Sequence, residues 1–295
     1  MLILLQTARR AVLGLSVALM VGAATPALAD PSLWTIKDKD STIYLFGTVH
    51  VLKPDTKWRS AKIAKAFASA DDVVMEIEQP DDPMAMQPLM LKYGVDRANP
   101  LSSKLDPASF AKLSAAAQGM GFPAQNLEVM RPWLAALTVS LTPLLKAGYD
   151  PKSGVEQLLT AQAKAAGKPI SAFETAEQQV RFFADMSQPQ EVELLKSTLD
   201  DIDDGPAKID ALVAAWAAGD QGEIKRQMVD EMQHDYPELY TLLLVQRNED
   251  WARQLKTKLA GSGVSFVAVG AGHLAGPDSV QAQLAKLGIK ARLVK

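Results

Sequence analysis

Ile43-Tyr44-Leu45-Phe46-Gly47-Thr48-Val49-His50 and Val264-Ser265-Phe266-Val267-Ala268-Val269-Gly270-Ala271-Gly272-His273 are two versions of one pattern. Each is an apolar, β-rich run that ends in Gly, then two residues, then His. A continuous apolar run bounded by Gly reads as a strand buried on both faces. The Gly is expected to turn the chain sharply off the strand end. The His is then delivered to a loop at the carboxyl edge of a sheet, where open α/β sheets place their ligand crevices. The chain contains three histidines, and two of them occupy these matched positions. The two ends of the chain are therefore expected to meet and put two imidazoles into one site.

Working outward, the first strand has a partner just before it. Leu33 to Lys37 and Thr42 to Phe46 flank Asp38-Lys39-Asp40-Ser41, a hairpin signal. Ser60 is placed to cap a short helix that ends at Ser69. Val73 to Glu78 reads as a third strand, interrupted by Glu76. A carboxylate inside a sheet needs a partner or an exposed strand end. Pro169 to Phe173 is a short strand with Glu174 at its end, and Thr175 with Gln178 forms a capping box for the next helix. If the strands leading to His50, Glu76, Glu174 and His273 all run parallel, two imidazoles and two carboxylates line one edge.

Between these strands the pattern is helical. Asp106-Pro107 gives an N-cap and an N1 proline, Arg131-Pro132-Trp133 starts another helix, and Ser153-Gly154-Val155-Glu156 opens a third. Residues 188–260 read as three or four helices. In the last of them Leu239, Leu243, Trp251 and Leu255 fall at four-residue steps, with Arg247 on the missing step. A buried arginine needs a carboxylate, with Glu76, Glu156 and Glu174 as candidates. The bland alternative is that its long stem snorkels to the surface. After Gly263 come the second Gly-x-x-His strand, a helix from Pro277 to Leu287 and a final strand from Ala291 to Val294. The fold class expected is α/β: a mixed sheet formed by N- and C-terminal segments, with a large helical insertion over roughly 83–260.

The N-terminus carries a different message. Met1 to Ala29 reads as a cleavable signal peptide, with Arg9-Arg10 as the positive region, an apolar core to Ala24, and Ala27-Leu28-Ala29 as the cleavage site. This predicts a periplasmic or secreted protein whose mature domain covers 30–295, with no membrane span after signal cleavage. Without Arg9 and Arg10 the formal net charge of −3 becomes −5, with the charges interspersed. No nucleic-acid footprint is visible. The chain has no cysteine. Disulfides, cysteine zinc sites and thiol nucleophiles are excluded.

Imidazoles and carboxylates are the ligands of zinc, manganese, iron and cobalt. Such a metal acidifies a bound water and polarises a carbonyl, the two requirements for amide or ester hydrolysis. The competing reading is that His50 and His273 merely close their loops, or that His50 works as a metal-free base. Gly270 to Gly276 also matches a relaxed dinucleotide loop. The acidic residue expected about twenty positions further on would fall at the chain end, where only Lys290 to Lys295 remain.

The ordered set Leu45 to His50, Glu76, Gly154-Val155-Glu156, Phe173-Glu174-Thr175 with Gln178, Arg247-Asn248 with Trp251, and Val269 to Leu274 resembles the TraB/GumN family. The resemblance covers nearly all of the mature chain. It implies kinship with Tiki-type metal-dependent proteases and, at greater distance, with erythromycin-esterase-like hydrolases and ChaN-like haem-binding proteins. Carried onto this sequence, His50, Glu76 and His273, together with Glu174, become the expected ligands of a divalent transition metal. Glu156 is the expected base and Arg247 the group that orients a carboxylate or binds substrate, with Asn248 beside it as a substrate-binding residue. The function expected is an exported metal-dependent hydrolase acting on a peptide or protein. The alternatives are a non-catalytic haem or metal carrier and an accessory factor with an idle site.

Overall fold

The computed structural model describes residues 29–77, 83–119 and 121–295. The expected signal peptide, apart from Ala29, and Glu78 lie outside them.

The sheet has six strands, in the order β4-β3-β5-β2-β1-β6. These are β1 (Leu33–Lys37), β2 (Ser41–Thr48), β3 (Asp72–Ile77), β4 (Ile170–Glu174), β5 (Gly263–Gly270) and β6 (Arg292–Leu293). β1 and β2 form the expected antiparallel hairpin, with Leu33 opposite Phe46 and Lys37 opposite Thr42. β2 then pairs with β5 in parallel, Ser41 beside Gly263 and Thr48 beside Gly270. β5 is parallel to β3, and β3 to β4. The four strands that carry the candidate residues thus all point the same way. The two Gly-x-x-His strands are immediate neighbours in exact register, although 222 positions separate Ser41 from Gly263 in the chain.

Helices cover both faces. α1 (Ala61–Ser69), α2 (Pro83–Gly94), α3 (Pro107–Gln118), α4 (Pro132–Lys146), α5 (Val155–Ala165), α6 (Ala176–Ala184), α7 (Gln188–Asp200) and α8 (Gly205–Ala218) precede a more broken stretch. That stretch comprises α9 (Gln221–Lys225), a π turn at Arg226–Asp230, α10 (Glu231–Asp235), α11 (Pro237–Tyr240) and a second π turn at Thr241–Val245. It leads into α12 (Gln246–Leu259), and α13 (Val280–Lys286) follows β5. Along β5 the side chains alternate as a pleat demands. Phe266 and Ala268 join a core with Ile63 and Phe67 of α1, Val155 and Leu159 of α5, and Trp216 of α8. Val267 and Val269 join a second core with Trp251 and Leu255 of α12 and Val280 and Leu284 of α13. The sheet is buried on both sides, which is why its central strands read as unbroken apolar runs. The same alternation along β3 sends Val73 and Met75 to the first core and Val74 to the second. Glu76 follows in phase with Val74, on the side of α12.

The helical insertion carries cores of its own. One forms among α3, α4 and α7 and another among α2, α4 and α6. Asp106 caps α3 through the backbone N–H of Ser109, and Thr175 with Gln178 closes the capping box of α6, both as expected.

Three local expectations are corrected. Ser60 precedes α1 without a side-chain cap bond, and its buried hydroxyl has no hydrogen-bond partner among the described residues. Residues 188–260 hold six α-helical segments, α7 to α12, and two π turns rather than three or four helices. The stripe Leu239-Leu243-Arg247-Trp251-Leu255 is not one continuous α-helical face. The π turn at Thr241–Val245 rotates it, so Leu244 is buried in place of Leu243. An extra residue in one turn shifts everything before it relative to everything after.

Candidate functional site

Across the carboxyl edge of the parallel strands the candidate side chains follow the strand order: Glu174, Glu76, His273, His50. The two imidazoles meet at Gly270. A Cβ placed on that glycine would lie 3.8 Å from His50 Nε2, 3.7 Å from His273 Cδ2 and 3.1 Å from Glu76 Oε1. Neither Gly47 nor Gly270 has a positive φ. The expected reason for these glycines, a strained turn, is therefore replaced by another, close approach. A Cβ on Gly47 would stand 3.1 Å from the Cα of Ala271, so the two Gly-x-x-His loops touch backbone to backbone.

Each imidazole is held from behind through Nδ1. His50 Nδ1 is 2.8 Å from Glu156 Oε1, which also accepts from the Thr48 hydroxyl. Glu156 reaches that position because Gly154 lets the start of α5 lie on the His50 loop. A Cβ there would collide with the His50 carbonyl oxygen, and Val155 N–H donates to the Val49 carbonyl at 3.1 Å. On the other side, Trp216 Nε1–H donates to the Gly47 carbonyl at 2.8 Å. His273 Nδ1 is 2.6 Å from Asn248 Oδ1. The Asn248 amide nitrogen donates to the Asp278 carbonyl at 2.8 Å, which makes Oδ1 the acceptor and puts the imidazole proton on Nδ1. His273 Nε2 therefore carries a lone pair.

Arg247 lies in the middle. Its side chain is only 10% exposed, so the snorkelling alternative is out. Its Nε and NH2 donate to Glu174 Oε1 and Oε2 at 2.8 and 3.0 Å. NH2 also donates to Glu76 Oε2 at 2.9 Å, and NH1 donates to His273 Nε2 at 3.1 Å and to the Leu243 carbonyl at 3.2 Å. That carbonyl belongs to the π turn that interrupts the helix before Arg247. The guanidinium also lies over the Trp251 ring, 4.7 Å from its centroid. Glu156, the third carboxylate considered as its partner, belongs to His50 instead.

The groups are strongly coupled. Burial drives the pKa of His273 down to about 3, a shift the neighbouring Glu76 charge only partly opposes. Burial alone would raise Glu76, but His273, Arg247, His50 and the Gly270 N–H together bring it down to about 2. His50 is raised to about 9, chiefly by the Glu156 charge against a burial effect of opposite sign. With 68% of the His50 side chain exposed, solvent screens part of that attraction. At neutral pH the site holds a neutral His273, an ionised Glu76 and a cationic Arg247.

All six candidates from the sequence, with Asn248, fall in this one neighbourhood. Their placements differ. Both oxygens of Glu174 are taken by Arg247, Trp251 Nε1 and Gln179 Nε2. Asn248 is 1% exposed and stands behind His273 rather than at an open surface. Gln179, which drew no attention in the sequence, bridges Glu76 Oε2 at 3.3 Å and Glu174 Oε2 at 3.1 Å. Its signal was its place one residue after Gln178, one turn into a helix that starts at the Glu174 strand end. Among the described residues no group of three or more His, Cys, Asp or Glu stands in metal-holding geometry.

A mixed sheet whose four parallel strands carry paired Gly-x-x-His loops and an arginine–carboxylate clamp at their carboxyl edge defines an α/β protein with a polar site built from both chain ends. The chain belongs to the TraB/PrgY/gumN family, which matches residues 32–292. Its relatives include the uncharacterised protein YbaP of Escherichia coli (strain K12), 23% identical over 243 residues, which span 82% of this chain and 87% of YbaP. An uncharacterised protein of Treponema pallidum (strain Nichols) is 20% identical over 262 residues, covering 84% of this chain and 78% of its own. No solved structure matches the chain.

Proposed function

We propose that this protein is an exported, metal-dependent hydrolase of peptide bonds, with His50, His273 and Glu76 as the ligand set. The observation that carries the proposal is the convergence of the two imidazoles and Glu76 Oε1 around Gly270. Each imidazole has Nδ1 engaged from behind, by Glu156 or by Asn248. Metal-binding histidines are oriented in just this way, by an acceptor on the nitrogen that does not ligate.

The donor chemistry fits a borderline divalent ion such as manganese, cobalt, zinc or iron. When bound, that ion would supply Lewis acidity toward a carbonyl and a nucleophilic water near neutral pH. Glu174 does not fit the ligand set, because it stands at the far end of the row from His50 with both its oxygens held by Arg247, Trp251 and Gln179. Glu76 Oε1, in contrast, lies 3.9 Å from His273 Nε2 and would give up only its Gly270 N–H bond. The role of Glu174 is to hold Arg247. The NH1 bond to His273 Nε2 is the contact that a ligated nitrogen would give up.

The protein's own groups supply the rest. Among the described residues Glu156 Oε2 is buried with no hydrogen-bond partner, which leaves an uncommitted carboxylate oxygen beside His50 for the role of general base. Arg247, fixed by two carboxylates, presents a positive charge beside the imidazoles, where charge develops on a carbonyl oxygen under attack. Asn248 keeps His273 in the tautomer that leaves Nε2 free. The narrowing to peptides rests on the resemblance to Tiki-type proteases, and export rests on the signal-like segment before Asp30.

The test combines metal analysis of the purified mature protein with a peptide library, with and without chelator. The expected result is a bound divalent metal and cleavage lost on chelation and in His50→Ala and His273→Ala. Haem uptake with a Soret band and no cleavage would support a carrier instead. Neither metal, haem nor cleavage would end the proposal.

A further inference from the structure

A cavity of about 690 Å³ opens on the far side of the Arg247–Glu174 pair, between α6 and the α11–α12 region. Neither histidine lines it. Its apolar surface comes from Phe182, Met186, Leu239 and Leu242. Its charged lining holds Glu174, Asp185, Glu238 and Asp250 against Arg181 and Arg247. The two guanidiniums are already committed. Arg247 bonds both Glu174 and Glu76, and Arg181 NH2 lies 2.9 Å from Asp185 Oδ2. Among the described residues Glu238 has only the neutral Gln190 amide as hydrogen-bond partner. Asp250 faces Arg253, which does not line the cavity, and the Gln254 amide. The space thus has an apolar wall, a carboxylate-rich rim, and as its inner wall the clamp that also grips Glu76 and His273.

We propose that this cavity is a substrate subsite that takes a lysine or arginine side chain of a peptide. The apolar wall accommodates the methylene stem, and Glu238 and Asp250 receive the cationic end. A long aliphatic stem with a charged tip is the side-chain form that buries apolar atoms while keeping its charge at a polar rim. An acidic side chain would meet Glu238, whose hydrogen-bond partner is a neutral amide, in a rim where carboxylates outnumber the lining guanidiniums, and a short one would leave the apolar wall wet. The shared wall explains how occupancy is felt at the reacting centre. A side chain seated there presses on Glu174 and Arg247, which position Glu76 and touch His273 Nε2. This inference rests on the proposed hydrolase reading for its link to turnover, but its binding arm stands apart from cleavage.

The experiment uses the mature protein and two fluorescent peptides that differ at one position, lysine or norleucine. Binding by anisotropy, without turnover, is expected to favour lysine by about fivefold, the ratio that ~1 kcal/mol gives for a rim ion pair. Glu238→Gln keeps the bond to Gln190 and is expected to reduce that preference at least twofold and to steepen nothing in the salt dependence. Leu242→Trp is expected to weaken the lysine peptide by filling the cavity. In the peptide library, cleaved sequences should be enriched in Lys or Arg at one fixed position, with the enrichment reduced in Glu238→Gln. Equal binding of the two peptides, or a lysine preference untouched by Glu238→Gln, overturns the subsite. Chelator-sensitive cleavage with no basic preference would overturn it too, while leaving the hydrolase reading intact. Absence of any cleavage would remove the hydrolase reading, and the anisotropy arm would still decide the subsite.

Discussion

The Gly154→Ala substitution isolates the contact that joins α5 to the His50 loop. Gly154 has φ −56° and ψ 144°, a conformation alanine adopts freely. If backbone freedom alone mattered, alanine would stabilise the protein by about 0.4–1 kcal/mol through the unfolded chain. The contact has the opposite sign. The new Cβ would collide with the His50 carbonyl oxygen and lie 2.9 Å from its carbon and 3.0 Å from the Pro151 oxygen. The first neighbour is backbone, so relief requires the loop and the helix start to separate by several tenths of an ångström or more. Overpacking of this kind costs about 1–3 kcal/mol. The net expectation is a loss of about 1–2 kcal/mol, or a few degrees in Tm at ~2–4 °C per kcal/mol for a chain of this length. Gly205→Ala is the control, since its Cβ would meet only Pro143 Cγ at 3.7 Å. Urea denaturation and calorimetry on both variants give the stability difference. The NMR titration of His50 reports whether Glu156 has moved away. A Gly154→Ala protein as stable as its parent, with His50 titrating unchanged, would refute the account of why glycine stands there.

Arg247→Met should cost about 3–5 kcal/mol, because it leaves Glu76 and Glu174 buried without their cation, and adding Glu174→Gln should restore part of the loss in denaturant midpoint. Glu156→Gln should lower the His50 pKa from about 9 toward its ordinary 6.5, as read from imidazole shifts against pH. In metal-free protein, stability should fall as pH drops, first between about 6.5 and 3 as the unfolded chain protonates His273 before the native state does. It falls further toward about 2 as Glu76, whose ordinary value is 4.5, does the same. His50 acts in the other direction, its contribution complete below 6.5 and lost as pH rises through about 9. Denaturant midpoints across pH should therefore peak near neutrality, and His273→Gln should flatten the acid limb. Chelation should lower Tm if the site binds metal in the native state only, and readdition of manganese, cobalt or zinc should restore it.

Much of this architecture was legible because its signals are local. The hairpin around Asp38–Ser41, the Asp106 cap and the Thr175–Gln178 capping box depend on residues a few positions apart, and each formed as expected. The buried strands announced themselves through unbroken apolar runs. The two Gly-x-x-His units pointed to a shared site because histidine is so scarce here. Arg247 was readable only as an anomaly on an apolar stripe, with three glutamates as equal candidates.

Other features have no local signature. The Gly154 requirement comes from the His50 backbone, more than a hundred positions away. Gln179 looks like any surface amide until β3 and β4 bring two carboxylates to it. The π turn that sets the phase of Arg247 is invisible to a count of four-residue steps. By itself, then, the sequence determined which segments are strands, which loops carry the imidazoles, and that the chain is α/β. Those properties follow from apolar periodicity and backbone preference within short windows. Only the tertiary structure decided which carboxylate each cation and imidazole owns. That choice depends on which face of β3 Glu76 shares with α12, and on how closely α5 can approach His50. Both are set by packing between segments far apart in the chain.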